Sequence, residues 1–382
     1  MASESNAPGE LEDTGLPDEE GVPRDRPRGV VRKMLSGFLS YGVVILVFVF
    51  LLPKLTSTDD LATSLSLITP AQVVVVLLLG LFNLFTNLPP IVITLPGLRY
   101  REAGVTNMAS AAISNTVPEG GAVATGLNFA MLRSWGFRLG DITSSYLTTG
   151  IWTNLVRYGL VAIALLVMAA EGDAPAYVVA IAIVVALLMA AAIALLAFVL
   201  RSEPFARRLG ALLGRVAAPF FRLFRRRVID DMDERTVAFR IELLRLVKDR
   251  WHALTGAMLL SQLSACLVLL VAVRMQGLSQ SEISVARVVV AYGTMSLASL
   301  LMPTPGGVGV AEVALVAVLG AGLPESLIPQ VTAAVLLFRL ATWLLPIPIG
   351  AGTYLFWRYN KGWRMTEEER EARDGTTAAL LA

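Results

Sequence analysis

The chain has one histidine, one cysteine and four lysines in 382 residues, and only 16% of its side chains are charged. With His252 alone, a histidine-based metal centre or catalytic dyad has no material. With Cys266 alone, no intrachain disulfide forms, and a thiol inside an apolar run reads as a small core residue. The paired-aspartate metal motif of membrane phosphotransferases is missing. The Gly306–Gly309 stretch lacks the Gly-Lys-Ser/Thr ending of a nucleotide phosphate loop. No soluble stretch is long enough to hold a nucleotide. These absences argue against an enzyme, and no cofactor or metal is expected.

What the chain does have is apolar residue: 55% of the total, at a mean hydropathy of +0.66, too apolar for a soluble domain of this length. The expected fold class is all-α, a polytopic transmembrane helical bundle with two broken or re-entrant segments in a possible internal repeat. Runs such as Phe38–Leu52, Ala176–Leu200 and Leu254–Val273 approach or exceed what a helix needs to cross about 30 Å of hydrocarbon. Lys33 and Lys54 flank the short first run and can snorkel.

Residues 1–27 read as a polar, acidic, disordered tail, not a signal peptide, because the first apolar core starts near residue 36. Arg24, Arg26, Arg28, Arg32 and Lys33 then favour a cytoplasmic N-terminus. Residues 28–200 form a first membrane half, with spans at Ala71–Leu95, Ile142–Ala169 and Ala176–Leu200. Within it, the segment 104–131 is flanked by arginine on both sides, which argues for a re-entrant hairpin. Residues 201–252 are basic and amphipathic: a stretch from Ala206 to Val228 without a single acid, then a helix over Ile229–Arg250. The first suits an anionic cytoplasmic leaflet or a protein partner, and nucleic acid is not expected. Residues 253–359 form a second half, with Val285–Met302, a break within 303–320, and Leu327–Trp357. Residues 360–382 are a polar tail. If the break contributes a net crossing, the C-terminus is cytoplasmic; if it is a pure hairpin, the C-terminus is outside.

The two breaks share an order of features. Pro118-Glu119-Gly120-Gly121 and Thr304-Pro305-Gly306-Gly307 each precede a long span carrying one arginine near its middle, Arg157 and Arg339. Broken segments at corresponding places in two halves point to a transporter's binding site. A charge at that depth costs roughly 2.5–3.5 kcal/mol even on permissive scales, so each arginine needs a partner or a wet pocket. In one reading the guanidinium groups hold a phosphate or another anionic headgroup, helped by Asn115, Thr116, Asn154, Thr304 and freed amides. In the other, Glu119 with Arg157 and Glu312 with Arg339 are ion pairs that lock the re-entrant elements. Asn83 and Asn87, before Pro89-Pro90, read as polar glue between helices.

The stretch Pro303-Thr-Pro-Gly-Gly-Val-Gly-Val-Ala-Glu312, with Leu336-Leu-Phe-Arg339 and Trp343-Leu-Leu-Pro346, resembles the lysylphosphatidylglycerol synthase transmembrane-region family, also described as flippase-like. Pro305, Gly306, Gly307, Glu312, Phe338 and Arg339 match its recurrent positions, and the span order matches over Arg28–Tyr359. In the first half Glu119 precedes Gly120-Gly121, where family members often carry glycine before glutamate. The resemblance implies a bacterial inner-membrane protein that translocates or binds an anionic lipid or lipid-linked headgroup. Complete synthases add a soluble aminoacyl-transferring domain, which has no counterpart here. The other expectation is a non-transporting scaffold for a lipid-modifying or glycosyl-transfer enzyme, docked through 201–250.

Overall fold

The structure, a computed structural model, describes residues 63–66, 68–117, 120–170, 176–223, 232–301 and 304–366. The expected tail 1–27, the first span Phe38–Leu52, the residues Pro118, Glu119 and Pro303, and the end of the polar tail from 367 lie outside them. All regular structure among the described residues is helical. We label the helices α1 (Pro70–Thr86), α2 (Leu88–Thr94), α3 (Tyr100–Thr116), α4 (Gly120–Ser134), α5 (Leu139–Ala170), α6 (Ala176–Arg201), α7 (Glu203–Leu223), α8 (Met232–Met275), α9 (Val285–Leu301), α10 (Val310–Leu319), α11 (Ile328–Arg339) and α12 (Pro346–Tyr359).

Among the described residues, five helical stretches are long and apolar enough to cross a membrane: Pro70–Thr94, Leu139–Ala170, Val179–Arg201, Arg250–Met275 and Glu325–Tyr359. Local sequence explains their ends. Thr69 starts α1 through a capping box, its hydroxyl accepting from the Gln72 N–H while the Gln72 side chain accepts from the Thr69 N–H, with Pro70 in the first turn. Pro89 and Pro90 donate no backbone hydrogen bond, and the helix breaks at Asn87 just before them. Between α11 and α12 the chain widens into a π turn at Leu340–Leu344, with Leu345 N–H donating to Leu340 O at 2.9 Å. Pro346 follows immediately and has no amide for the usual ladder.

Two corrections to the linear reading concern length and order. The amphipathic stretch over Ile229–Arg250 and the span after it are one continuous helix, the 44-residue α8. Its N-terminal part reaches beyond the span and pairs with α7, where Leu212, Leu213 and Val216 stay exposed beside Arg208 and Arg215. The segment Val285–Met302 is not an independent span. It is one arm of a hairpin whose return arm is α10, and Arg287 ties the two open ends by donating to both Glu282 O and Ala321 O at 3.1 Å.

A similar hairpin, α3 with α4, lies in the first half. Gly120 is obligatory at its tip, because an added Cβ would lie 2.7 Å from the Ile113 and Ser114 carbonyl oxygens. Its open end lies with Arg99, Arg101 and Arg133, whereas the open end of α9–α10 lies with Glu282 and Ala321, after α8 has crossed. Each half therefore reads span, hairpin, span: α1–α2, α3–α4, α5, then α8, α9–α10, α11–α12. The two hairpins enter from opposite ends, which is the inverted-repeat pattern.

Each core draws on both halves. Val76, Leu269, Val273, Leu315, Val335 and Phe338 fill one cluster between α1, α8, α9, α10 and α11. Leu95, Ala103, Met131, Leu132 and Ile142 fill a second, with Tyr354 and Trp357 of α12 packed on it. On α6, by contrast, Ile183, Val184, Leu187, Leu188 and Phe198 are all exposed, as a helix facing lipid requires.

Candidate functional site

The tips of the two hairpins meet in the bundle. Asn115, in the last turn of α3, donates to Trp343 O at 2.9 Å, and Trp343 Nε1 returns a bond to Asn115 O at 3.1 Å. Trp343 also walls Gly306, whose positive φ of 55° and lack of space for a Cβ both demand glycine. Gly307, at φ 69°, is likewise closed off by Ser299. Pro305 and Gly307 are buried, and Thr304 places its hydroxyl in a buried position with no hydrogen-bond partner among the described residues.

Glu312 and Arg339 hold this tip. Arg339 Nε donates to Glu312 Oε1 at 2.6 Å and its Nη2 donates to Gly306 O at 2.9 Å. The second carboxylate oxygen, Glu312 Oε2, accepts from the Gly309 N–H at 2.6 Å, which caps α10. Glu312 is 7% and Arg339 8% exposed, so the charges are satisfied by each other and by the broken backbone. The guanidinium also lies 5.7 Å from the Trp343 ring. Of the expected site residues, Asn115, Gly306, Glu312 and Arg339 thus converge, and the geometry of that group is a closed ion pair.

Arg157 is placed differently. Glu119, its expected partner, is outside the described residues, and Arg157 instead donates from Nε to the side-chain oxygen of Gln262 on α8 at 2.9 Å. The same oxygen accepts from Tyr292 on α9 at 3.4 Å, and the Arg157 guanidinium lies 5.7 Å from that ring. Around them is a cavity of about 180 Å³ lined by residues that include Asn83, Asn87, Asn107, Thr149, Arg157 and Gln262. At roughly 30 Å³ per water, that volume holds several waters or a phosphate-sized group. No described carboxylate lines it.

Thr304, Pro305 and Gly307 share the turn of Gly306, Gly120 sits at the tip of the other hairpin, and Gly121, Asn154 and Thr116 join neither group. A Cβ added at Gly121 would meet no neighbouring element, and Asn154 is exposed and bonds back to Gly150 O in its own helix. Thr116 likewise bonds to Ala112 O. Asn83 and Asn87 do glue helices, through Ser261 and Ser264 of α8, and they also line the cavity. Asn107, Gln262 and Tyr292 were not singled out by the sequence. The available signal was polarity at helix positions otherwise suited to hydrocarbon, diluted across three separate helices.

The bundle of apolar spans, inverted hairpins and intramembrane arginines defines a multi-pass integral membrane protein. The chain belongs to the Lysylphosphatidylglycerol synthase TM region family, whose profile matches residues 37–350. No curated protein matches the chain at a significant level.

Proposed function

We propose that this protein handles an anionic lipid or lipid-linked headgroup, moving it between leaflets in the manner of a flippase, and that the headgroup enters the Arg157 cavity. The observation that carries this reading is an intramembrane guanidinium in a polar cavity without a described carboxylate on its wall. Its remaining N–H groups are donors suited to a phosphate. The Glu312–Arg339 pair serves a different end, since its charge is already used: it holds the hairpin tip that borders the transport path.

The test is reconstitution in vesicles with labelled phosphatidylglycerol or a polyprenyl-phosphate lipid. Wild-type protein should accelerate flipping, and Arg157→Gln should remove the acceleration while leaving the protein folded. Equal rates for the two, or no acceleration of any anionic lipid, would sink the transport reading. A scaffold role gains support if the Arg157 variant is neutral while charge removal at Arg207, Arg208 and Arg215 releases a co-purifying protein.

A further inference from the structure

Among the described residues, two intramembrane arginines lie on equivalent spans, and the side chain that accepts from Nε differs between them. For Arg339 that side chain is Glu312, and the pair is neutral. For Arg157 it is Gln262, an amide, and no described carboxylate balances the charge. We infer that the neutral side chain at position 262 sets the charge class of the ligand, so that the cavity takes a headgroup bearing a single net negative charge, such as a phosphodiester. This rests on the Arg157 cavity being the headgroup site.

The donors around the cavity agree with that class. Gln262 is 4% exposed, and its side-chain oxygen is occupied by Arg157 and Tyr292. That leaves the amide N–H groups of Gln262 without a hydrogen-bond partner among the described residues. The side chain of Asn107, which lines the same cavity, has none either among the described residues, and the Arg157 guanidinium, engaged by Gln262 through Nε and by Tyr292 beside it, keeps further N–H groups for a ligand. The set offers one positive charge and several neutral donors. A zwitterionic headgroup would bring an ammonium into a wall with no described carboxylate to receive it. A dianion would leave one charge uncompensated at membrane depth, which is costly. A monoanion is matched in charge and in hydrogen-bonding sense.

Glutamate is nearly the size of glutamine, so Gln262→Glu reproduces at Arg157 the contact that Glu312 already makes with Arg339, and removes the net charge without opening a hole. The experiment is a thermal-shift titration of the full chain in detergent with phosphatidylglycerol, phosphatidylcholine and, as a soluble phosphodiester, dimethyl phosphate. Wild type should bind phosphatidylglycerol in preference to phosphatidylcholine. Gln262→Glu should lose about ten- to a hundredfold of that preference, the range of a hydrogen bond to a charged group. Gln262→Met, which removes the acceptor and keeps the charge, should retain the preference, and this separates charge selection from mere positioning of Arg157. Stabilisation by dimethyl phosphate as strong as by the lipid would assign the site to a free phosphodiester and not a lipid headgroup.

If Arg157→Gln abolishes the preference and Gln262→Glu preserves it, the headgroup site stands and the role of Gln262 is overturned. If wild type shows no preference, the site itself falls. If Gln262→Glu does not fold, the outcome with Gln262→Met decides: loss of the preference there overturns the inference.

Discussion

Arg157 and Arg339 are the same side chain under two electrostatic regimes, and the difference is measurable residue by residue. At Arg339 the guanidinium and the Glu312 carboxylate are both buried, so removing one partner leaves an uncompensated charge. Each single alanine substitution is expected to cost about 3–5 kcal/mol, as broken buried pairs do. The double alanine should cost clearly less than the sum of the singles, and exchanging the two residues should recover part of the loss. Thermal unfolding in detergent of the four variants checks this; strict additivity would mean that the 2.6 Å contact carries no coupling. Outside the membrane the same logic is mild. In the link between α8 and α9 the Ser279 backbone N–H and hydroxyl hold the Glu282 carboxyl below its ordinary range. This group lies at the surface, and its contribution is present above the ordinary carboxylate pKa and fades as pH falls through the lowered value.

At the scale of elements, α3 and α12 cross closely. A Cβ on Gly350 would run into Met108 O and lie 2.6 Å from the Ala112 methyl. Small residues at such crossings let backbones pack where lipid supplies no hydrophobic drive. Gly350→Ala should therefore destabilise by about 1–3 kcal/mol, as overpacking does. Gly352, two residues on, has nothing within 4 Å, and Gly352→Ala should be neutral or slightly stabilising through helix propensity. Equal melting temperatures for the two variants would contradict the crossing. The same pair matters to function, because α12 braces the hairpin arm whose tip carries Asn115.

For the whole molecule the two inverted hairpins decide which way the chain ends. Val285–Leu301 is an arm of the hairpin and not a crossing before it, which corrects the expectation that a pure hairpin leaves the C-terminus outside: α9–α10 returns to the end it left, α11 and α12 make the next net crossing, and the C-terminal segment arrives at the end where α4 turns into α5. There Met365 N–H donates to Ser134 O at 2.9 Å, Trp357 Nε1 donates to Ser134 Oγ at 3.2 Å, and Arg364 stacks 4.0 Å from the Trp357 ring. Trp363 packs 5.0 Å from Trp135 with Arg101 beside it. In a Cys266→Ala background, Lys361→Cys and Asp141→Cys should be labelled from the same side by a membrane-impermeant maleimide, and Ser281→Cys from the other. The excess of arginine around Arg99, Arg101, Arg133, Arg138 and Arg201 predicts that the shared side is the cytoplasm. Labelling of Lys361→Cys together with Ser281→Cys would refute the inverted arrangement.

Spans and breaks were legible in the sequence because hydrocarbon imposes local demands: apolar runs of a set length, and proline and glycine only where the backbone finds other partners. Ala71–Leu95 and Ile142–Ala169 correspond to Pro70–Thr94 and Leu139–Ala170 within a few residues. The Glu312–Arg339 contact was legible for a related reason, since a charge with no water nearby must find its opposite. Pairing across the bundle was not. That Arg157 meets Gln262 and Tyr292, that Asn115 reaches Trp343, and that Val285–Leu301 folds back on α10 all depend on residues far apart in sequence being brought together. Local composition determined that this chain lives in a membrane and where it breaks. Only tertiary packing decided which arginine keeps its charge, because that depends on the neighbour each side chain meets.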